Sequence, residues 1–139
     1  MELALLLKVN TNIAHLNIAA NCLKDDNIGI LCRAVEWNHT IVHLDLQENS
    51  LSGRGCTKVF KSLISNDSVC SLNIGNFANS FKNRIGDEGA EKLAQLLQVT
   101  KILSLLDLRN MVLNDANLIG LSEGLRFNTS LTYLNLSKN

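Results

Sequence analysis

Apolar residues recur along this chain in two alternating rhythms. In the first, an aliphatic residue is followed by apolar side chains three and five positions on: Ile13, Leu16 and Ile18; Ile41, Leu44 and Leu46; Val69, Leu72 and Ile74; Leu103, Leu106 and Leu108; Leu131, Leu134 and Leu136. The two-residue step puts the last pair of each set on one face of a strand and turns the residues between them the other way. In the second rhythm the intervals are three and four: Ile28, Leu31 and Val35; Cys56, Val59 and Leu63; Ala90, Leu93 and Leu97; Leu118, Leu121 and Leu125. Those are the stripes of amphipathic helices.

The alternation is a repeat. IAHLNIAAN at 13–21 returns as IVHLDLQEN at 41–49 and LTYLNLSKN at 131–139, a period of 28. A unit of this kind buries its apolar face only against its neighbours, which predicts an α/β solenoid. Parallel strands line the concave face of a right-handed horseshoe and helices line the convex face. The expectation is one domain over 1–139, with whole units at 13–40, 41–68, 69–102 and 103–130 and partial units at 1–12 and 131–139. Asp25, Asp87 and Asp115 stand where a short acidic side chain can cap the first turn of each helix, with Gly53 as a weaker cap in the second unit.

The units resemble the ribonuclease-inhibitor-like class of leucine-rich repeats, LxxLxLxxNxLxxxGxxxLxxxL. The first reads IAHLNIAANCLKDDNIGILCRAV, with Asn27 at the Gly position. The fourth reads LSLLDLRNMVLNDANLIGLSEGL, with Met111 at the Asn position and Asn117 at the Gly. The resemblance implies a ladder of Asn side chains bonded to neighbouring backbone, interrupted at Met111, and an Asn that tolerates the left-handed conformation where Gly is usual. It also implies a range of roles: enzyme inhibitor, ligand-sensing domain of an immune receptor, cytoskeletal scaffold, or, as the alternative class, a Ran-type GTPase-activating domain. Both ends read as cut rather than capped, so a segment of a larger protein is expected.

Composition narrows the partners. Thirteen basic residues balance thirteen acidic ones and are spread along the chain, which argues against nucleic acid. No apolar run is long enough to span a bilayer. Cys22, Cys32, Cys56 and Cys70 have neither CxxC spacing nor paired His, and four isolated thiols point to a reducing compartment, the cytoplasm. Asn38, Asn66, Asn128 and Asn135 each open an N-x-S/T sequence, but they read as turn and strand residues.

The outward strand positions carry the candidate chemistry. They form columns: His15, His43, Ser71, Leu105, Tyr133; Asn17, Asp45, Asn73, Asp107, Asn135; Ala19, Gln47, Gly75, Arg109, Ser137. Of these, His15, His43, Asp45, Gln47, Asp107, Arg109 and Tyr133 are the expected contacts of a protein partner, since aromatic and Arg side chains dominate binding hot spots. His15, His43 and Asp45 invite a zinc reading, but an open sheet offers no catalytic pocket, and neither an enzyme nor a bound cofactor is expected. The third unit is 34 residues long, its excess at 75–82 carrying Phe77 and Phe81 as a second candidate contact. Trp37 and Phe127, in equivalent slots after their helices, are expected to close the repeat. The oligomeric state is left open.

Overall fold

The computed structural model describes residues 2–78 and 81–139. Within them, helices and short strands alternate: α1 (Glu2–Val9), β1 (His15–Asn17), α2 (Lys24–Val35), β2 (His43–Asp45), α3 (Gly53–Ser65), β3 (Ser71–Asn73), α4 (Gly86–Val99), β4 (Leu105–Asp107), α5 (Asp115–Arg126) and β5 (Tyr133–Asn135). The strands pair in parallel and in chain order, residue for residue, so that Leu16, Leu44, Leu72, Leu106 and Leu134 lie side by side. Each helix packs on the next. Strands make one wall and helices the other, the α/β solenoid that the period predicts.

The core lies between the walls. Leu44, Leu72 and Leu106, with Leu46, Ile74 and Leu108, are buried against Ile28, Leu31, Val59, Leu63, Leu93, Leu97 and Leu121. Phe60 of α3 heads the fully buried side chains by volume, although helical spacing did not single it out. Ile18, Leu125, Leu131, Leu134 and Leu136, nearer the two ends, are only partly buried.

Two rows of Asn side chains tie the units together along the edges. In the first, Nδ2 of the fully buried Asn49 donates to the carbonyls of Leu46, Gln47 and Ile18, while Oδ1 accepts from the amides of Asn21 and Leu23. Asn83 donates to Leu46 and Ile74 and accepts from Asn49 and Leu51. Asn139 does the same with Leu108, Leu136, Met111 and Leu113. The long unit therefore places its ladder residue after the insertion, at Asn83.

Met111 breaks one rung, yet neither amide it should have served is abandoned. The Asn83 N–H turns to Asn76 Oδ1 at 2.7 Å and the Ile85 N–H to the Met111 carbonyl at 3.2 Å. Asn76 belongs to the insertion and also donates to the Asn83 and Asn110 carbonyls. The insertion in one unit thus compensates for the methionine in the next.

The second row accounts for three of the N-x-S/T sequences. Asn38 and Asn66 are buried and donate to carbonyls of the preceding unit, as does Asn128, and each accepts from two amides just downstream. Thr40, Ser68 and Ser130 add hydroxyl bonds to the Ile13, Asn38 and Leu103 carbonyls.

Helix starts depart from expectation. Asp25, Asp87 and Asp115 lie inside the first turns, where a negative charge favours the helix dipole, and not at the caps. Ser52 caps α3, accepting from the Arg54 amide, so the second unit has a side-chain cap after all, and Asn114 forms a capping box with Asn117 at α5. Helices α2 and α4 begin after Leu23 and Ile85 without a side-chain cap. Asp25 and Asp87 reach across to the next unit instead. Asp25 accepts from the Ser52 amide at 2.9 Å and from its hydroxyl, and Asp87 from the Asn117 and Asn114 side-chain amides at 2.8 and 3.3 Å.

That reach also corrects the reading of the Gly column. Asn27, Gly55, Gly89 and Asn117 all lie within helices, and none has a positive φ. Gly55 serves by lacking bulk, since a Cβ there would overlap Asp25 Oδ1. At Asn117 the side chain fills the equivalent space and bonds to Asp87. The left-handed residues are found instead in the turns after the strands, at Ala20, Glu48, Asn110 and Lys138 among others.

All four cysteines are free. Burial pushes the Cys32 thiol up to about 12 and raises that of Cys56 as well, so neither offers thiolate at neutral pH. Cys22 and Cys70 are only half-buried. Alkylation at pH 7.5 should therefore modify Cys22 and Cys70 in the native protein and add Cys32 and Cys56 only in denaturant, as read by intact mass and peptide mapping. Rapid native labelling of Cys56 would show that α3 detaches from its neighbours.

Candidate functional site

The alternation that buries the strand leucines turns a continuous set of side chains outward. His15, His43 and Tyr133 are exposed in the first column and Ser71 and Leu105 half-buried. In-register pairing stacks the His15 and His43 rings, with centroids 4.3 Å apart and planes 20° from parallel. They present faces to each other, and among the described residues no group of three His, Cys, Asp or Glu is placed to hold a metal.

The second and third columns are partly an internal brace. Gln47 and Asp107 are only 5% and 7% exposed. Gln47 Nε2 donates to Asn73 Oδ1 at 2.7 Å, and Asp107 accepts from the Arg109 amide at 2.8 Å and from Asn135 Nδ2 at 3.0 Å. Asp45, half-buried, accepts from the Gln47 amide at 3.0 Å. Burial lifts its carboxyl above the ordinary value, the Gln47 bond offsets part of that, and the Asp107 charge adds to it.

The inserted loop meets the strand face at Arg109. The guanidinium lies over the Phe77 ring, 4.7 Å from its centroid, with Nη2 3.7 Å from Asp107 Oδ2. Gly75 lets the start of the loop lie close against the Arg109 backbone, since a Cβ there would come within 2.8 Å of the Arg109 main-chain nitrogen. On the other side the Ala78 amide donates to the Glu48 carboxylate, and the Ser50 amide to the Phe81 carbonyl at 2.8 Å. The loop is thus fastened to both neighbouring units, while Phe77 remains 61% exposed and Phe81 exposed. Residues 79 and 80 of this loop lie outside the described residues.

Comparison with known proteins agrees with the repeat. A family model described as leucine-rich repeat matches residues 38–60, 81–94 and 127–139. This chain belongs to the leucine-rich-repeat proteins. Human NACHT, LRR and PYD domains-containing protein 13 is 29% identical over 131 residues, 94% of this chain and 12% of that protein. Mouse NACHT, LRR and PYD domains-containing protein 3 is 32% identical over 110 residues, 78% of this chain and 10% of that one. The chain thus spans about a tenth of the length of these curated relatives. Among solved structures, leiomodin-1 actin-binding site 2 superposes with a TM-score of 0.85 at 18% identity, covering 97% of this chain and 77% of that one. The tropomodulin C-terminal domain of Caenorhabditis elegans gives 0.76 at 20% identity, covering 98% and 81%. At those identities the likeness is one of fold.

The leucine-rich-repeat frame also corrects the reading of two aromatics. Trp37 is 70% exposed and Phe127 is exposed too, so neither closes its unit; Asn38 and Asn128, one residue on, do that work. Val9 and Val99 occupy the same repeat position, as the last residues of α1 and α4, and are exposed as well. No pattern of spacing separates such an exposed slot from a buried one, because the residues there are apolar either way. Among the described residues no helix is long and apolar enough to cross a membrane.

Proposed function

We propose that this chain is a protein-interaction module whose concave strand face contacts a macromolecular partner, without catalysing a reaction itself. The observation that carries the reading is the unbroken outward surface of five strands in exact register, on which His15, His43 and Tyr133 stand exposed while the strand leucines turn inward. A rigid, preformed surface with aromatic and Arg anchors binds with little reorganisation. The Phe77 ring stacked on Arg109 extends that surface into the inserted loop, so His43, Asp45, Arg109, Tyr133 and Phe77 form one continuous contact region, with Phe81 at its margin. The likeness to NACHT, LRR and PYD proteins supports a role as the recognition segment of a longer polypeptide in a cytoplasmic setting, and the leiomodin fold supports a protein as the thing recognised.

Once a partner has been captured from a lysate, Tyr133→Ala and Arg109→Ala should each weaken its binding by about 1–3 kcal/mol in calorimetric titrations. Lys92→Ala, on the helical wall, should leave affinity unchanged. Unaltered binding to a Tyr133→Ala, His43→Ala double variant, with loss on Phe81→Ala, would move the site off the strands and onto the loop.

A further inference from the structure

We propose that the notch at Ser71 in the strand face receives an arginine side chain of the protein partner; this rests on the strand-face reading above and names the chemistry of one contact within it. The first outward column runs His15, His43, Ser71, Leu105, Tyr133, so a small side chain stands between an imidazole and a leucine. Two strand spacings, roughly 9.6 Å, separate His43 from Leu105, and only a hydroxymethyl group occupies the interval. The resulting depression is lined by His43, Asp45, Ser71, Asn73 and Leu105, and continues to His15.

Three features fit the notch to a guanidinium. His15 backs the His43 ring on one side and holds it flat, which leaves its other face toward Ser71. Asp45 lies at the base of the notch, and the two ion pairs among the described residues are elsewhere, His39 with Asp67 and Arg109 with Asp107. One Asp45 oxygen takes the Gln47 amide. Burial, and in smaller measure the like charge of Asp107 two strands away, disfavours the ionised carboxyl, and a cation brought by the partner offsets both. A planar guanidinium stacks on an imidazole and donates paired bonds to a carboxylate, whereas an ammonium does neither. Asp45 is half-buried and outside both ion pairs of the described residues, so its carboxylate is free to take a cation from a partner.

The test titrates the whole 139-residue chain with acetyl-Gly-Arg-Gly-amide, followed by NMR. The controls are the lysine peptide and the citrulline peptide, the latter a neutral isostere. Saturating millimolar shifts are expected at His43, Asp45 and Ser71 with the arginine peptide. Affinity should fall at least about fivefold with citrulline or in Asp45→Asn, and binding should be lost in Ser71→Leu, which fills the notch.

Asp45→Asn keeps an acceptor for the Gln47 amide, so it should melt no lower than wild type at pH 7. An acid whose folded pKa is raised withholds stability once ionised, and any advantage of the Asn variant should therefore shrink as the pH falls and Asp45 protonates. Equal affinity for arginine and citrulline peptides, undiminished binding to Ser71→Leu, or no saturable shift would overturn the proposal and leave the Tyr133 and Arg109 results standing. A partner indifferent to Tyr133→Ala and Arg109→Ala, while the arginine peptide still titrates the notch, would sink the strand-face reading instead.

Discussion

Asn83→Ala is expected to destabilise the protein by about 2–6 kcal/mol, measured by urea unfolding. The side chain is fully buried, and its Oδ1 is the acceptor for the Asn49 and Leu51 amides of the preceding unit. Alanine orphans both donors, at about 1–3 kcal/mol each. The carbonyl side is less exposed to loss, because Leu46 keeps a bond from Asn49 Nδ2. In a solenoid each unit contacts only its neighbours, so the damage is confined to the junction between the second and third units, and amide exchange should accelerate at Asn49 and Leu51 before it does in α5. Asn21→Ala is the control. Asn21 is exposed and its side chain bonds only to the Ile18 and Ala19 carbonyls, so its loss should cost under about 1 kcal/mol. Equal unfolding midpoints for the two variants would mean that the ladder contributes nothing.

Phe60→Ala should cost about 3–5 kcal/mol, the range for truncating a buried aromatic that leaves a cavity. Phe60 is 0% exposed within α3, the central helix of the convex wall, and flanking helices tied through the strand wall cannot simply collapse into the space. Trp37→Ala removes a larger ring yet should change stability by no more than about 0.5 kcal/mol, because that ring lies in solvent. Scanning calorimetry on the pair decides between burial and size: a melting temperature lowered more by Trp37→Ala would show that the edge slot, and not the core, carries the aromatic contribution.

What was legible in the sequence followed from periodicity. The two-residue step of Leu44 and Leu46, or Leu106 and Leu108, can be satisfied on only one face of a strand, and the three- and four-residue steps of Val59 and Leu63 on only one face of a helix. Repeating that pair of rhythms leaves a stacked solenoid as the arrangement that buries both stripes. The outward columns come from the same alternation, and so His15 and His43 were placed side by side before any geometry was known. Their face-to-face contact required the register to be exact.

Tertiary structure decided where one side chain answers to a neighbour distant in sequence. Asp25 bonds to Ser52 of the next unit and Gly55 is small because of Asp25, contacts that span about one period and lie out of reach of any local rule, while Asn76 takes the Asn83 amide left free by Met111 in the following unit. Gln47 and Asp107 stand in outward columns yet are covered, each drawn into hydrogen bonds along the sheet, Gln47 to Asn73 and Asp107 to Arg109 and Asn135. Phe77 and Arg109, set apart in the sequence as loop and strand, become one surface because the insertion folds back across β4. Periodicity determines which way a residue faces, and packing across units determines whether it is covered and what it touches. The fold was therefore written in the sequence, whereas the joined Arg109–Phe77 surface and the notch at Ser71 exist only once adjacent strands are brought within about 5 Å of each other.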